Sequence, residues 1–174
     1  MKIRSHPGAD ADFAKAYEAY ADAIFRHCAY RCFDRERAKE LMQEVFMKAW
    51  DYLAAGNDID NVQAFLYRTA NNIIIDEARR TKKRTIVSYE DMAEDGFDIE
   101  GDDGRDQARI FDSKEVAKVL LRIEEPYRTA LVLRYIDELK PKEIAQTLGE
   151  SANTVSVRIN RGMNMLKTIL ADYE

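Results

Sequence analysis

Apolar residues recur every three or four positions through most of the chain, the spacing that gathers side chains on one face of a helix. Phe13, Tyr17, Tyr20, Ile24 and Cys28 predict an amphipathic helix over residues 11–31 with an aromatic core stripe. Residues 35–54 predict a second, with Ala38, Leu41, Val45, Ala49 and Leu53 on one side and Gln43, Glu44, Met47, Lys48 and Trp50 off that stripe. Gly56 to Asn61 is a loop by its turn residues. In the helix that follows, Leu66, Ala70, Ile73 and Ile74 fall on one arc, and Arg68, Asn72, Asp76 and Arg79 on the opposite one.

After Arg84 the pattern stops, and it resumes near residue 112. Asp112 and Glu115 fit a capping box ahead of Val116, Val119, Leu120 and Ile123. Pro126 suits the first position of the next helix, where Tyr127, Ala130, Leu131 and Tyr135 share an arc that Val132, Leu133 and Ile136 widen. Pro141 opens a short helix closed by Gly149, and Ser151 can cap the last one. Ile144, Ala145, Leu148, Val155 and Ile159 are spaced to pack these two as a helix-turn-helix. Most helical hairpins bind nothing. Here the second helix presents Asn153, Thr154, Ser156, Arg158, Asn160 and Arg161, short polar and basic side chains that suit groove edges and phosphates, so duplex DNA is the expected partner.

Charge sharpens the division. The net charge is −5, yet residues 88–112 hold ten acidic residues against Arg105 and Arg109. The acidity belongs to that stretch, and the flanks are mildly basic. With its three glycines it reads as a flexible, self-repelling linker. The expected fold is therefore all-α: two small helical domains, 1–87 and 113–174, joined by the acidic linker 88–112. No apolar run approaches membrane-spanning length, and the first residues lack the apolar core of a signal peptide, so the expectation is a cytoplasmic protein with no membrane insertion.

The candidate chemistry is recognition. The segment Val62 to Arg84 carries six basic residues against Asp76 and Glu77, and five of the six lie between Arg79 and Arg84. Two cations there could merely complement the helix dipole, but five beside Phe65 and Tyr67 suit nucleic acid, with rings able to stack on unpaired bases. Asn71 and Asn72 could hydrogen-bond a base edge. His27, Cys28 and Cys32 lie within two turns with no fourth donor nearby, a weak match to zinc, so core thiols and a surface imidazole are the default. Neither a cofactor nor a catalytic nucleophile and base set is expected, His6 being the only other histidine.

Three ordered motifs carry a family likeness: ELMQEVFMKAW, AFLYRTANNIIIDEARR and PYRTALVLRYIDELKPKEIAQTLGESANTVSVRINRG. They resemble regions 2 and 4 of the bacterial sigma-70 family. The small size, with no region between the two, resembles the extracytoplasmic-function group. The resemblance implies an initiation factor whose partners are core RNA polymerase, promoter DNA as duplex and as melted non-template strand, and an anti-sigma factor. It places polymerase docking on Glu40, Gln43, Glu44, Phe46, Lys48 and Trp50. It places minus-ten recognition on Asn57, Asp58 and Asn61 of the loop with Asn71 and Asn72, and backbone contacts on Arg68, Arg79, Arg80 and Lys83. It places minus-thirty-five recognition on the last helix, through Asn153, Thr154, Ser156, Val157, Arg158, Asn160 and Arg161. Ser156 and Val157 depart from the family's usual basic residue followed by serine, so promoter preference does not transfer.

Two other readings compete. A stand-alone helix-turn-helix regulator would bind duplex DNA without polymerase and leaves MQEVFMKAW unexplained. A metal or redox sensor would use His27, Cys28 and Cys32.

Overall fold

The computed structural model describes residues 1–6, 8–82 and 116–171. The acidic stretch 88–112, the cap at Asp112 to Glu115, and Lys83 and Arg84 lie outside the described residues. Within those residues every regular element is helical, apart from one antiparallel bridge between Ile3 and Ile59.

Helix α1 spans Ala9–Cys32 and stops where Phe33 turns into the left-handed region, φ 57°, its N–H bonding Ala29 O at 2.9 Å. The carboxylate of Asp34 accepts the Arg37 N–H at 2.9 Å and caps α2, Arg35–Ala54. Ala38, Leu41, Val45, Ala49 and Leu53 are all buried, the whole stripe that the spacing predicts. Asn61 Oδ1 accepts the Ala64 N–H at 3.1 Å at the start of α3, Val62–Lys82. Arg37 closes a two-pronged bridge onto Glu77, 2.8 and 3.0 Å, and ties α2 to α3.

Residues 116–121 form α4. Helix α5, Tyr127–Leu131, runs into a π turn over Val132–Ile136, where the Asp137 N–H reaches back five residues to Val132 O at 3.0 Å. That wider turn shifts the phase: Val132 and Leu133 are fully buried, while Tyr135, expected on the core arc, is 52% exposed. Helix α6, Pro141–Leu148, ends at Gly149 in the left-handed conformation, φ 69°. Ser151 Oγ accepts the Thr154 N–H at 3.0 Å and starts α7, Ala152–Ala171. Gly162 of α7 lies against α5, where a Cβ would come 3.0 Å from Leu131 Cγ.

One buried apolar cluster runs through both halves of the chain. Three expectations change as a result. His27 is fully buried, not at the surface, because Asp137 from the other half closes over it. Tyr67 is 2% exposed and packs edge-on against His27, so its ring has no free face for a base. Tyr17, placed on the core stripe, is 42% exposed, its ring packing on Phe46 from the outside. The N-terminal stretch is tied down as well, since Ile3 is buried and exchanges two 2.9 Å backbone bonds with Ile59.

Candidate functional site

The outward side of α2 is presented by its buried side. With one stripe sunk in the core, Glu40, Gln43, Met47, Lys48 and Trp50 point to solvent and Glu44 is half-exposed, 3.6 Å from Lys48. Phe46 is the exception among the docking candidates: it is buried, and its ring packs with Phe13 and Tyr17 at 6.1 and 4.7 Å. Trp50 rests edge-on against Phe13 at 5.2 Å, which fixes its indole while leaving part of it exposed. A rigid, half-exposed ring among mobile polar side chains is the usual anatomy of an interface anchor.

The loop before α3 is held by its own bonds. Asn57 Nδ2 donates to Tyr52 O at 3.1 Å, and Asp58 accepts from the Ser5 N–H at 2.8 Å and from Arg4 at 2.6 Å. The Ser5 amide and the Arg4 guanidinium together hold the Asp58 carboxyl below its ordinary range. On α3, Asn72, Arg79 and Arg80 are exposed, while Asn71 is buried with no described partner for Oδ1. Phe65 is half-buried against Tyr52, 5.0 Å between centroids. Lys83 lies outside the described residues.

Two members of this group are engaged by the other half of the chain. Arg68 Nε donates to Thr147 O at 2.9 Å, and its guanidinium also reaches Gln146 O, at the C-terminal end of α6. Asn61 Nδ2 donates to Gln146 Oε1 at 3.3 Å. Sequence reasoning missed this seam because neither half signals the other: the partners lie 79 and 85 residues away.

The helix-turn-helix is built from local rules. Ile144, Ala145, Val155 and Ile159 are buried between α6 and α7, as their spacing predicts. The opposite side of α7 shows Asn153, Thr154, Val157, Asn160 and Arg161 to solvent, with Ser156 and Arg158 half-exposed. Arg158 is held by Glu150 at 2.8 Å, whereas Arg161 stands exposed one turn on. Below this face an apolar groove opens among Val116, Tyr135, Met163, Leu166 and Leu170, which the sequence did not announce because it depends on the π turn that turns Tyr135 outward.

The cysteines and the histidine do not assemble a metal site. Among the described residues no three His, Cys, Asp or Glu side chains are grouped to hold a metal ion. Burial pushes the Cys28 thiol far above its ordinary range and the Cys32 thiol up to about 11, so neither is a ready thiolate.

The architecture is thus an all-helical chain of two regions, one carrying an exposed helix-turn-helix and one a helix whose outer side is polar. Residues 16–84 match the model of sigma-70 region 2, and residues 113–166 match that of sigma-70 region 4. The chain is 28% identical to the ECF RNA polymerase sigma factor SigW of Bacillus subtilis (strain 168), covering 98% of this chain and 96% of that protein. It is 29% identical to the RNA polymerase sigma factor YlaC of the same strain, covering 87% of each. Its fold is that of two solved complexes. CnrH bound to the cytosolic domain of CnrY gives a TM-score of 0.71 at 22% identity over 95% of this chain and 91% of that one. RpoE bound to the anti-sigma factor NepR, from Bartonella quintana, gives 0.70 at 22% identity over 92% and 97%. The chain belongs to the sigma-70 family, in its extracytoplasmic-function group, and is a transcription initiation factor that works with core RNA polymerase.

Proposed function

We propose that residues 1–87 dock core polymerase and hold the melted minus-ten strand, while residues 113–174 read the minus-thirty-five duplex. The observation that carries the docking half is α2: five of its core positions are buried, and Glu40, Gln43, Lys48 and Trp50 face solvent on the remaining side. The duplex half rests on the exposed polar face of α7, which runs from Asn153 to Arg161. Asn72, Arg79 and Arg80 would meet the single strand beside the Asn57 to Asn61 loop. Opening of the duplex is then binding energy and not covalent chemistry: a flipped base costs a few kcal/mol, which base-edge and phosphate contacts recover.

No helix of the described residues is long and apolar enough to cross a membrane, and a cytoplasmic setting fits a partner of polymerase. An anti-sigma factor is the natural regulatory partner, as it is for RpoE of Bartonella quintana.

The test is capture of core polymerase by the full chain, followed by transcription from a promoter library. Glu44→Lys places a second cation beside Lys48 on the docking face and should weaken capture severalfold, while its melting temperature stays close to wild type because exposed changes move stability by less than about 0.5 kcal/mol. Unchanged capture by that variant would remove α2 from the docking surface.

A further inference from the structure

An open cleft lies between α1 and α2, lined by Asp10, Phe13, Ala14, Tyr17 and Glu18 of α1 and by Trp50 of α2. The register of α1 makes it: positions 10, 13, 14, 17 and 18 share one face of a helix, so the two carboxylates flank the aromatic positions about 12 Å apart along the axis. Ala14 sits between the rings in sequence and reaches out only a methyl group, which leaves space that a longer side chain would take.

The rings are braced from behind. Phe13 lies edge-on to Trp50 at 5.2 Å and to the buried Phe46 at 6.1 Å, and Tyr17 packs on Phe46 at 4.7 Å. Trp50 is nevertheless 37% exposed and Tyr17 more so, so aromatic surface already fixed in place stays in water. Such a surface loses little freedom when it binds. The acids are equally unspent: Asp12 pairs with Lys15, but neither Asp10 nor Glu18 meets a cation among the described residues, and no cation lines the cleft. Asp10 in the first turn also complements the helix dipole, an effect confined to that turn, whereas Glu18 lies two turns further in and has no such role.

Exposed ring faces beside carboxylates without counter-ions are the chemistry of a cation seat. A guanidinium suits it better than an ammonium, because it is flat enough to stack on a ring and its fork of donors matches a carboxylate. We propose that this cleft seats an arginine side chain of core polymerase and extends the docking surface from α2 onto α1. The inference rests on the assignment of α2 to polymerase docking. Gln43, Met47 and Trp50 are exposed along one line of α2, and Trp50 belongs to both surfaces, so a partner lying along that line borders the cleft.

The test measures binding of the labelled full chain to core polymerase at low salt. Ala14→Leu keeps a good helix former, leaves every ring and charge in place and fills the cleft, so affinity should fall roughly threefold or more. Asp10→Asn with Glu18→Gln should weaken binding by a similar factor and flatten its dependence on salt. Tyr17→Leu should weaken it too, while Tyr17→Phe, which keeps the ring, should bind as wild type. With helicity retained, wild-type affinity in either of the first two variants overturns the proposal, and so does equal binding by the two Tyr17 variants. If Tyr17→Leu loses helicity, the first two decide. Glu44→Lys separates this idea from its premise: if it weakens binding while the cleft variants do not, the seat is lost and the docking assignment stands, and if none of them weakens binding both fall. The choice of arginine is read on Trp50, the only tryptophan in the chain. Its emission in the free protein should respond more to a tri-arginine peptide than to tri-lysine of equal charge, and the difference should vanish in Ala14→Leu. An equal response to the two peptides in the wild-type chain overturns the assignment to arginine.

Discussion

The faces assigned to DNA, on α3 and on α7, are built in opposite ways. The α7 face stands on neighbours close in sequence: Ile144, Val155 and Ile159 form its floor, Gly149 and Ser151 set its turn, and the described partners of its polar side chains, Ser151, Ala152 and Glu150, all lie within eight residues. The α3 face borrows from distant parts of the chain, with Asp58 held by Arg4 and Ser5, and Arg68 and Asn61 held by α6. A reading head made from local contacts is ready as folded. The α3 face has two of its polar side chains, Asn61 and Arg68, already engaged by those distant contacts.

The largest expected break in this comparison comes from the floor of α7. Ile144 is fully buried, and Ile144→Ala should cost about 2–5 kcal/mol. Denaturant unfolding should show the loss, duplex binding should fall with it, and capture of polymerase through α2 should survive at a temperature where the variant is still folded. Loss of all three together at that temperature would show that the halves have no independent footing.

A smaller effect separates two arginines on one helix. Arg161 is exposed, whereas Arg158 must first leave Glu150. Arg161→Ala should cost roughly 1–3 kcal/mol at a preferred duplex if it reads a base, or weaken all sequences alike if it holds phosphate. Arg158→Ala should cost less, and fluorescence anisotropy against two duplexes ranks them. The reverse order would mean that the Glu150 pair opens freely on binding.

Asn72→Ala probes the α3 face at the level of one or two hydrogen bonds, about 1 kcal/mol. On a pre-melted bubble with polymerase present, the loss should fall at a single base position and leave duplex binding by α7 untouched. A uniform loss across positions would make Asn72 a backbone contact.

The smallest effect is at the seam, and it depends on pH. Burial alone would raise the Glu125 carboxyl, but Arg31, the Thr129 hydroxyl and Arg128 outweigh it and hold it below its ordinary range. A depressed carboxylate contributes stability that is complete above the unfolded value and is lost as pH falls through the lower folded one, on the acid side. Arg31→Met should shrink that acid-side loss in a pH series of melting temperatures, and an unchanged pH profile would mean that the Arg31–Glu125 pair does not stabilise the seam.

Much of this was readable in the sequence, for a reason that differs from element to element. The α2 stripe, the Ser151 cap, the Gly149 stop and the helix-turn-helix core follow from interactions within a turn or two, where periodicity and capping chemistry decide the outcome. The aromatic residues were harder: Phe46 and Tyr67 were offered to partners and are buried, while Tyr17 was offered to the core and is exposed. A ring large enough to reach either side of a helix surface goes where the packing leaves room, and periodicity does not record that.

By itself the sequence determined the helices, their order, the faces they bury and the family motifs, because those rest on backbone hydrogen bonding and on the removal of regularly spaced apolar groups from water. Tertiary structure alone decided that His27 would meet Asp137 across 110 residues, that a π turn would rotate Tyr135 outward, and that Arg68 would cap α6. Each depends on two distant surfaces fitting together, and a polar residue buried by such a fit carries the same letter, with the same local neighbours, as one left in water.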